Sequence, residues 1–99
     1  MPNISHSVNR EQATKIAREI IQQLDPRHDF VIEEDKTLER NFGWVFFYSP
    51  RQYILTHDRN YLVPGNGPLV VYRATGKQEF LSTSLPPEKA IEVLEKHLQ

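Results

Sequence analysis

The residues able to do chemistry in this chain are few and scattered. His6, His28, His57 and His97 are its four histidines, and none is followed three or four residues later by a second histidine or a carboxylate suited to a metal. His57 and Asp58 are sequence neighbours, which does not orient an imidazole as the third member of a catalytic triad must. Thr75-Gly76-Lys77 has the ending of a phosphate loop, yet Gln78 stands where the magnesium-binding hydroxyl belongs and Val71 where the leading glycine belongs. Gly65-Asn66-Gly67 runs into Pro68 and an apolar stretch, whereas a dinucleotide loop opens a helix. Glu33 and Asp35 share one face if residues 30–36 form a strand. A solvated strand edge explains them more simply than an acid/base pair. Cysteine is absent, so thiol catalysis, thiolate metal sites and disulfides are all excluded. These residues predict neither an enzyme, nor a metal site, nor a bound cofactor.

The elements that must position these residues follow from periodicity. Ala13, Ile16, Ala17, Ile20, Ile21 and Leu24 form one helical stripe, with Asn9 as N-cap, Gln12 completing a capping box and Asp25-Pro26 as the stop. Eight of the ten aromatics lie in residues 42–72, an enrichment that predicts strands. The pattern gives strands over 30–36, 43–49, 68–73 and 77–81. In the second of these, Trp44, Phe46 and Tyr48 alternate with Val45, Phe47 and Ser49; both sets are largely apolar, so the strand is central. Short loops, including a hairpin with Gly76 in the left-handed position, favour an antiparallel meander. Pro86 and Pro87 open a second helix whose stripe is Ala90, Ile91, Leu94 and Leu98.

The expected fold is therefore α+β: a four-stranded, mainly antiparallel sheet with the N-terminal and C-terminal helices packed on one face. Its 99 residues suit a single domain. Residues 1–8 read as a flexible tail. Residues 50–67 form a long connection that Tyr53, Ile54, Leu55, Tyr61, Leu62 and Val63 can anchor, leaving 56–60 as an exposed tip. No apolar run approaches the roughly 20 residues of a membrane span. No secretory signal is visible at the N-terminus, which predicts a cytoplasmic location.

Twelve lysines and arginines face thirteen acids, a net charge of −1, which disfavours a nucleic-acid or membrane module. The distribution is uneven: residues 29–39 carry a net −4 and residues 40–77 a net +4. The second segment joins arginine to tyrosine, the types enriched at protein–protein hot spots. Arg51, Tyr53, His57, Asp58, Arg59 and Tyr61, with Asn66, Tyr72 and Arg73, are the candidate partner-binding residues. The alternative is that the tyrosines are half-buried sheet residues and the arginines their solvated flank.

Gly43-Trp44-Val45-Phe46-Phe47-Tyr48, then Tyr53, then Gly65-Asn66-Gly67-Pro68-Leu69-Val70-Val71, then Thr75-Gly76 and a C-terminal helix form an ordered set. This set resembles the immunity protein 35 (YrhB-like) family of small bacterial α+β domains. The resemblance covers most of the chain. It departs at Tyr72-Arg73, where the family tends to carry Asp-Lys, so a role resting on that acid does not transfer. The resemblance implies a protein that binds and neutralises a cognate toxin, with chaperone-like behaviour as the other activity linked to such domains. Gly43, Trp44, Gly65, Asn66, Pro68 and Gly76 are expected to specify the fold.

Three functions stay open: a toxin-binding immunity protein, a holdase using an apolar patch at Tyr53, Ile54, Leu55, Leu62 and Val63, and, least favoured, a weak nucleic-acid binder. Monomer and homodimer are both allowed, since an exposed β-edge or apolar helix flank could pair two copies.

Overall fold

The computed structural model describes residues 7–62 and 67–98. Helix α1 spans Arg10–Gln22. Its start is the expected capping box: Gln12 N–H donates to Asn9 Oδ1 at 2.8 Å, and Asn9 N–H donates to Gln12 Oε1 at 3.0 Å. The helix ends before Asp25-Pro26, because the Gln23 and Leu24 amides bond three residues back, to Ile20 and Ile21. The last turn is thus tightened ahead of the proline-restricted residue.

The strand expected over 30–36 is cut short, and a strand not expected there follows it. β1 is Phe30–Ile32, Glu34–Lys36 form a 3-10 turn, and β2 is Leu38–Arg40. The strand expected over 43–49 divides, into β3 (Gly43–Phe46) and β4 (Tyr48–Pro50). Phe47 is the break, its carbonyl accepting from Glu33 N–H at 2.8 Å. On one side of it the chain pairs within a four-stranded sheet, and on the other it pairs with β1. β5 (Leu69–Tyr72) and β6 (Gln78–Phe80) complete a sheet of order β2-β3-β5-β6, antiparallel throughout, beside the two-stranded β1-β4 sheet. The connection after β4 is not structureless. It folds into a short helix α2 (Arg51–Thr56) and a 3-10 turn at Arg59–Tyr61. The chain closes with α3 (Pro87–Leu98).

The α+β class and the antiparallel meander stand as expected. The placement of both helices on one face does not. Trp44, Phe46, Leu69 and Val71 pack with Ala13, Ala17 and Ile21 of α1. Val45 and Val70, which point the other way, pack with Leu81 and with Ala90 and Ile91 of α3. Each helix covers one face, and the alternation that makes β3 apolar on both sides is what requires two covers. All four residues of β3 are buried. Trp44 is 1% exposed, and its indole N–H has no acceptor among the described residues. The stripe of α3 is narrower than its sequence implied, for Leu94 is only half-buried and Leu98 is exposed.

Two expected fold-specifying positions have a direct geometric cause. Gly43 has φ +148°, and a Cβ there would lie 2.1 Å from Val71 O and 2.9 Å from Arg73 N; the backbones of β3 and β5 meet where only glycine fits. Gly76, at φ +77°, sits in the hairpin, which is closed by Tyr72 N–H donating to Lys77 O at 2.8 Å. Pro68 is half-buried and accepts from Leu81 N–H at 2.8 Å. Gly65 and Asn66 lie outside the described residues, as do most of the expected tail and Val63. Val8 is anchored: its N–H donates to Arg73 O at 2.9 Å, and its side chain packs on the α1-side core.

Candidate functional site

The acidic and basic segments fold against each other. Arg51 Nε lies 2.6 Å from Asp29 Oδ2, Arg73 Nη2 lies 3.2 Å from Glu39 Oε2, and Arg40 Nε lies 3.4 Å from Glu95 Oε1. The −4 and +4 of the sequence therefore do not become opposing faces. Residues 29–39 and 40–77 are neighbours in an antiparallel fold, and two ion pairs, Arg51–Asp29 and Arg73–Glu39, cross between them.

Arg73 is the most engaged of the candidate residues. Its guanidinium carbon stands 4.4 Å from the centroid of the Trp44 ring, and Nη2 also donates to Arg40 O at 2.9 Å. Its backbone N–H donates to Phe42 O at 2.8 Å. Tyr72 is held similarly: its hydroxyl donates to Glu79, its ring lies 6.2 Å from that of Phe42, and burial, then the Glu79 carboxylate, push its pKa up to about 12. Both residues line a shallow, mainly apolar groove of about 480 Å³ with Phe42, Ala74 and Leu98.

The other candidates gather elsewhere. Gly43 pairs with Tyr72 at one end of the β3-β5 ladder and Phe46 with Leu69 at the other, and the chain runs on through β4 into α2. At about 3.3 Å per residue, Pro50 lies up to roughly 23 Å from the Gly43 end. Arg51, Tyr53, His57, Asp58, Arg59 and Tyr61 therefore form one group, and Tyr72 and Arg73 another. Asn66 lies outside the described residues.

Local chemistry shapes the first group. Pro50 precedes α2 with φ −58°, and His57 ends the helix at φ 57°, its N–H donating to Tyr53 O at 2.6 Å. Asp58 Oδ1 then accepts from Asn60 N–H at 2.9 Å, starting the 3-10 turn. Asp58 is thus a capping residue and Arg51 a salt-bridged one. Tyr53 and Ile54 are half-buried. The other three described anchors expected of this segment face water instead: Leu55 is 70% exposed, Tyr61 44% and Leu62 40%. Helical spacing turns Leu55 away from the body that Tyr53 and Ile54 touch. Among the described residues, Arg59 makes no ion pair.

The groups that suggested catalysis stay apart. Among the described residues, no cluster of three or more His, Cys, Asp or Glu side chains could hold a metal. His28 Nε2 lies 3.5 Å from Asp25 Oδ2, His57 caps α2, and His97 is exposed on α3; His6 lies outside the described residues. Glu33 does not share a strand face with Asp35, since the 3-10 turn intervenes. Its carboxylate accepts from Ser49 Oγ and lies 2.5 Å from Lys36 Nζ. Burial works to raise its pKa, and the hydrogen bonds from Lys36 and Ser49 outweigh burial and hold it below the usual range. No helix among the described residues is long and apolar enough to cross a membrane.

No curated protein and no solved structure matches the chain. The family model described as Immunity protein 35 matches residues 11–99, from the first turn of α1 to the chain's last residue. That span takes in both terminal helices, the sheet that separates them and the exposed α2 segment, and the chain belongs to the immunity protein 35 family.

Proposed function

We propose that this protein is a stoichiometric, non-enzymatic binder that neutralises a cognate bacterial toxin in the cytoplasm, using the α2 segment as its contact surface. One observation carries the reading. Leu55, Tyr61 and Leu62 are exposed near an Arg59 with no ion pair among the described residues, on the helix and turn built from residues 51–62. Tyrosine and arginine beside apolar side chains are the composition of interface anchors, and loops held on a rigid scaffold are where binding concentrates. Family membership supplies the kind of partner.

The holdase reading loses ground, because Tyr53 and Ile54 are half-buried, which leaves only Leu55 and Leu62 of its expected apolar patch exposed among the described residues. Nucleic-acid binding loses Arg51 and Arg73 to intramolecular carboxylates.

Co-expression with the toxin-like product of a neighbouring gene tests the proposal. The wild-type chain restores growth and co-purifies one to one. Tyr61→Ala and Leu55→Asp each weaken binding by about tenfold or more with an unchanged melting temperature. Suppressed aggregation of an unrelated client, without capture of any neighbouring gene product, would instead establish the holdase.

A further inference from the structure

The four-stranded sheet has two edges, and the chain treats them differently. Along β2, guanidinium groups occupy backbone carbonyls: Arg73 Nη2 donates to Arg40 O at 2.9 Å, and Arg40 Nη1 donates to Glu39 O at 3.0 Å. The side chains of Glu39 and Arg40 are themselves tied to Arg73 and Glu95. Among the described residues the β6 carbonyls have no such cover, although Gln78 Nε2 donates to Gly76 O just before the strand at 2.7 Å, and Lys77, Gln78, Glu79 and Phe80 are all exposed.

The ladder fixes which β6 groups point outward. Tyr72 N–H donates to Lys77 O and Leu81 N–H donates to Pro68 O, each at 2.8 Å. In an antiparallel pair the bonded positions alternate, so residues 77, 79 and 81 turn their backbone groups toward β5. The N–H and C=O of Gln78 and Phe80 therefore point away from the sheet, and among the described residues nothing bonds them. No proline interrupts the strand, so the edge is a template for another strand.

We infer that β6 pairs antiparallel with β6 of a second copy of this chain, about a two-fold axis at Gln78. Outward-pointing residues must face one another, which leaves three registers: Gln78 opposite Gln78, Gln78 opposite Phe80, or Phe80 opposite Phe80. The second sets Glu79 directly against Glu79, and like charges so placed are destabilising. The third sets Glu79 against Leu81 and leaves both charges without opposite partners. Only the first places Lys77 of each copy opposite Glu79 of the other, twice over and on one face of the joined sheet. Tyr72 O–H already holds the Glu79 carboxylate on that face. The product is a continuous eight-stranded sheet. One short strand per copy makes a small interface, so the dimer is a weak one.

Sedimentation velocity on the full chain between about 10 µM and 1 mM tests this, with hydrogen exchange at the Gln78 amide as a second readout; the Phe80 amide faces Gly76, whose N–H and C=O are already bonded to Tyr72 O and Gln78 Nε2, and gains no partner. The expected result is a concentration-dependent dimer and amide exchange that slows several-fold as it forms. Lys77→Glu removes the dimer, Lys77→Glu with Glu79→Lys restores it, and Gln78→Pro abolishes it. A chain that stays monomeric at about 1 mM overturns the inference. So does a dimer that survives both Lys77→Glu and Gln78→Pro. Neither readout involves a toxin, so the outcome is separate from that of the proposed function.

Discussion

The Arg73 guanidinium lies 4.4 Å from the centroid of the buried Trp44 ring while donating to Arg40 O at 2.9 Å. One side chain thus joins β5 to the indole of β3 and to the backbone of β2. A planar, delocalised cation with several donors can do all of this at once; an ammonium group cannot. Arg73→Ala is expected to cost about 1–2 kcal/mol, from the lost cation–π contact and hydrogen bonds, and Arg73→Lys to recover part of it. Urea denaturation measures both. A loss of toxin binding with stability unchanged would reassign Arg73 to the interface.

Gly43 and Gly76 both have positive φ, but substitution at them should differ. A Cβ on Gly43 would meet the carbonyl of Val71 at 2.1 Å, whereas one on Gly76 meets only the side chains of Val8 and Ile16, at 3.4 and 3.7 Å. Gly43→Ala should therefore cost about 3 kcal/mol or more, since backbone must move within a packed sheet. Gly76→Ala should cost about 1–2 kcal/mol, the conformational term alone. Thermal unfolding of the two variants ranks them.

Acid should destabilise the protein in part through Glu33. Its folded-state pKa is depressed below the ordinary 4.5, so its contribution is fully present above about pH 4.5. It is lost as pH falls through the folded-state value, when Lys36 and Ser49 lose a charged acceptor. Glu33→Gln should flatten the acid limb of a stability–pH profile below about pH 4.5.

His57 holds φ 57° at the end of α2, a conformation that glycine adopts without strain. His57→Gly should raise stability by about 0.5–1 kcal/mol, read as a higher denaturation midpoint. If His57 also touches the toxin, affinity falls while stability rises, which separates the two roles.

The sequence was most legible where local chemistry acts alone. Asn9 and Gln12 announce the start of α1, Pro86 and Pro87 that of α3, and Thr75-Gly76 the hairpin, because capping and turn preferences act within a few residues. The two-sided apolarity of residues 43–49 correctly marked a central strand. It did not reveal that the chain changes partner at Phe47, since the Glu33 N–H that bonds its carbonyl comes from fourteen residues earlier. Gly67 belongs to the Gly65-Asn66-Gly67-Pro68 motif, but the 1.8 Å that would separate a Cβ there from Leu81 O is set by the fold, fourteen residues away in sequence.

The same division runs through the candidate site. Composition and spacing by themselves determined an α+β chain without cysteine, with three of its four tyrosines after residue 50 alongside Arg51, Arg59 and Arg73, and with the motifs that mark its family. Tertiary structure alone decided which of those arginines are available. Arg51 and Arg73 meet Asp29 and Glu39 across the fold, while Arg59, on an exposed 3-10 turn in the same segment as Leu55, Tyr61 and Leu62, meets no acid among the described residues. Net charge counts residues wherever they stand, whereas an ion pair needs two of them within about 4 Å; only the folded chain sets those distances.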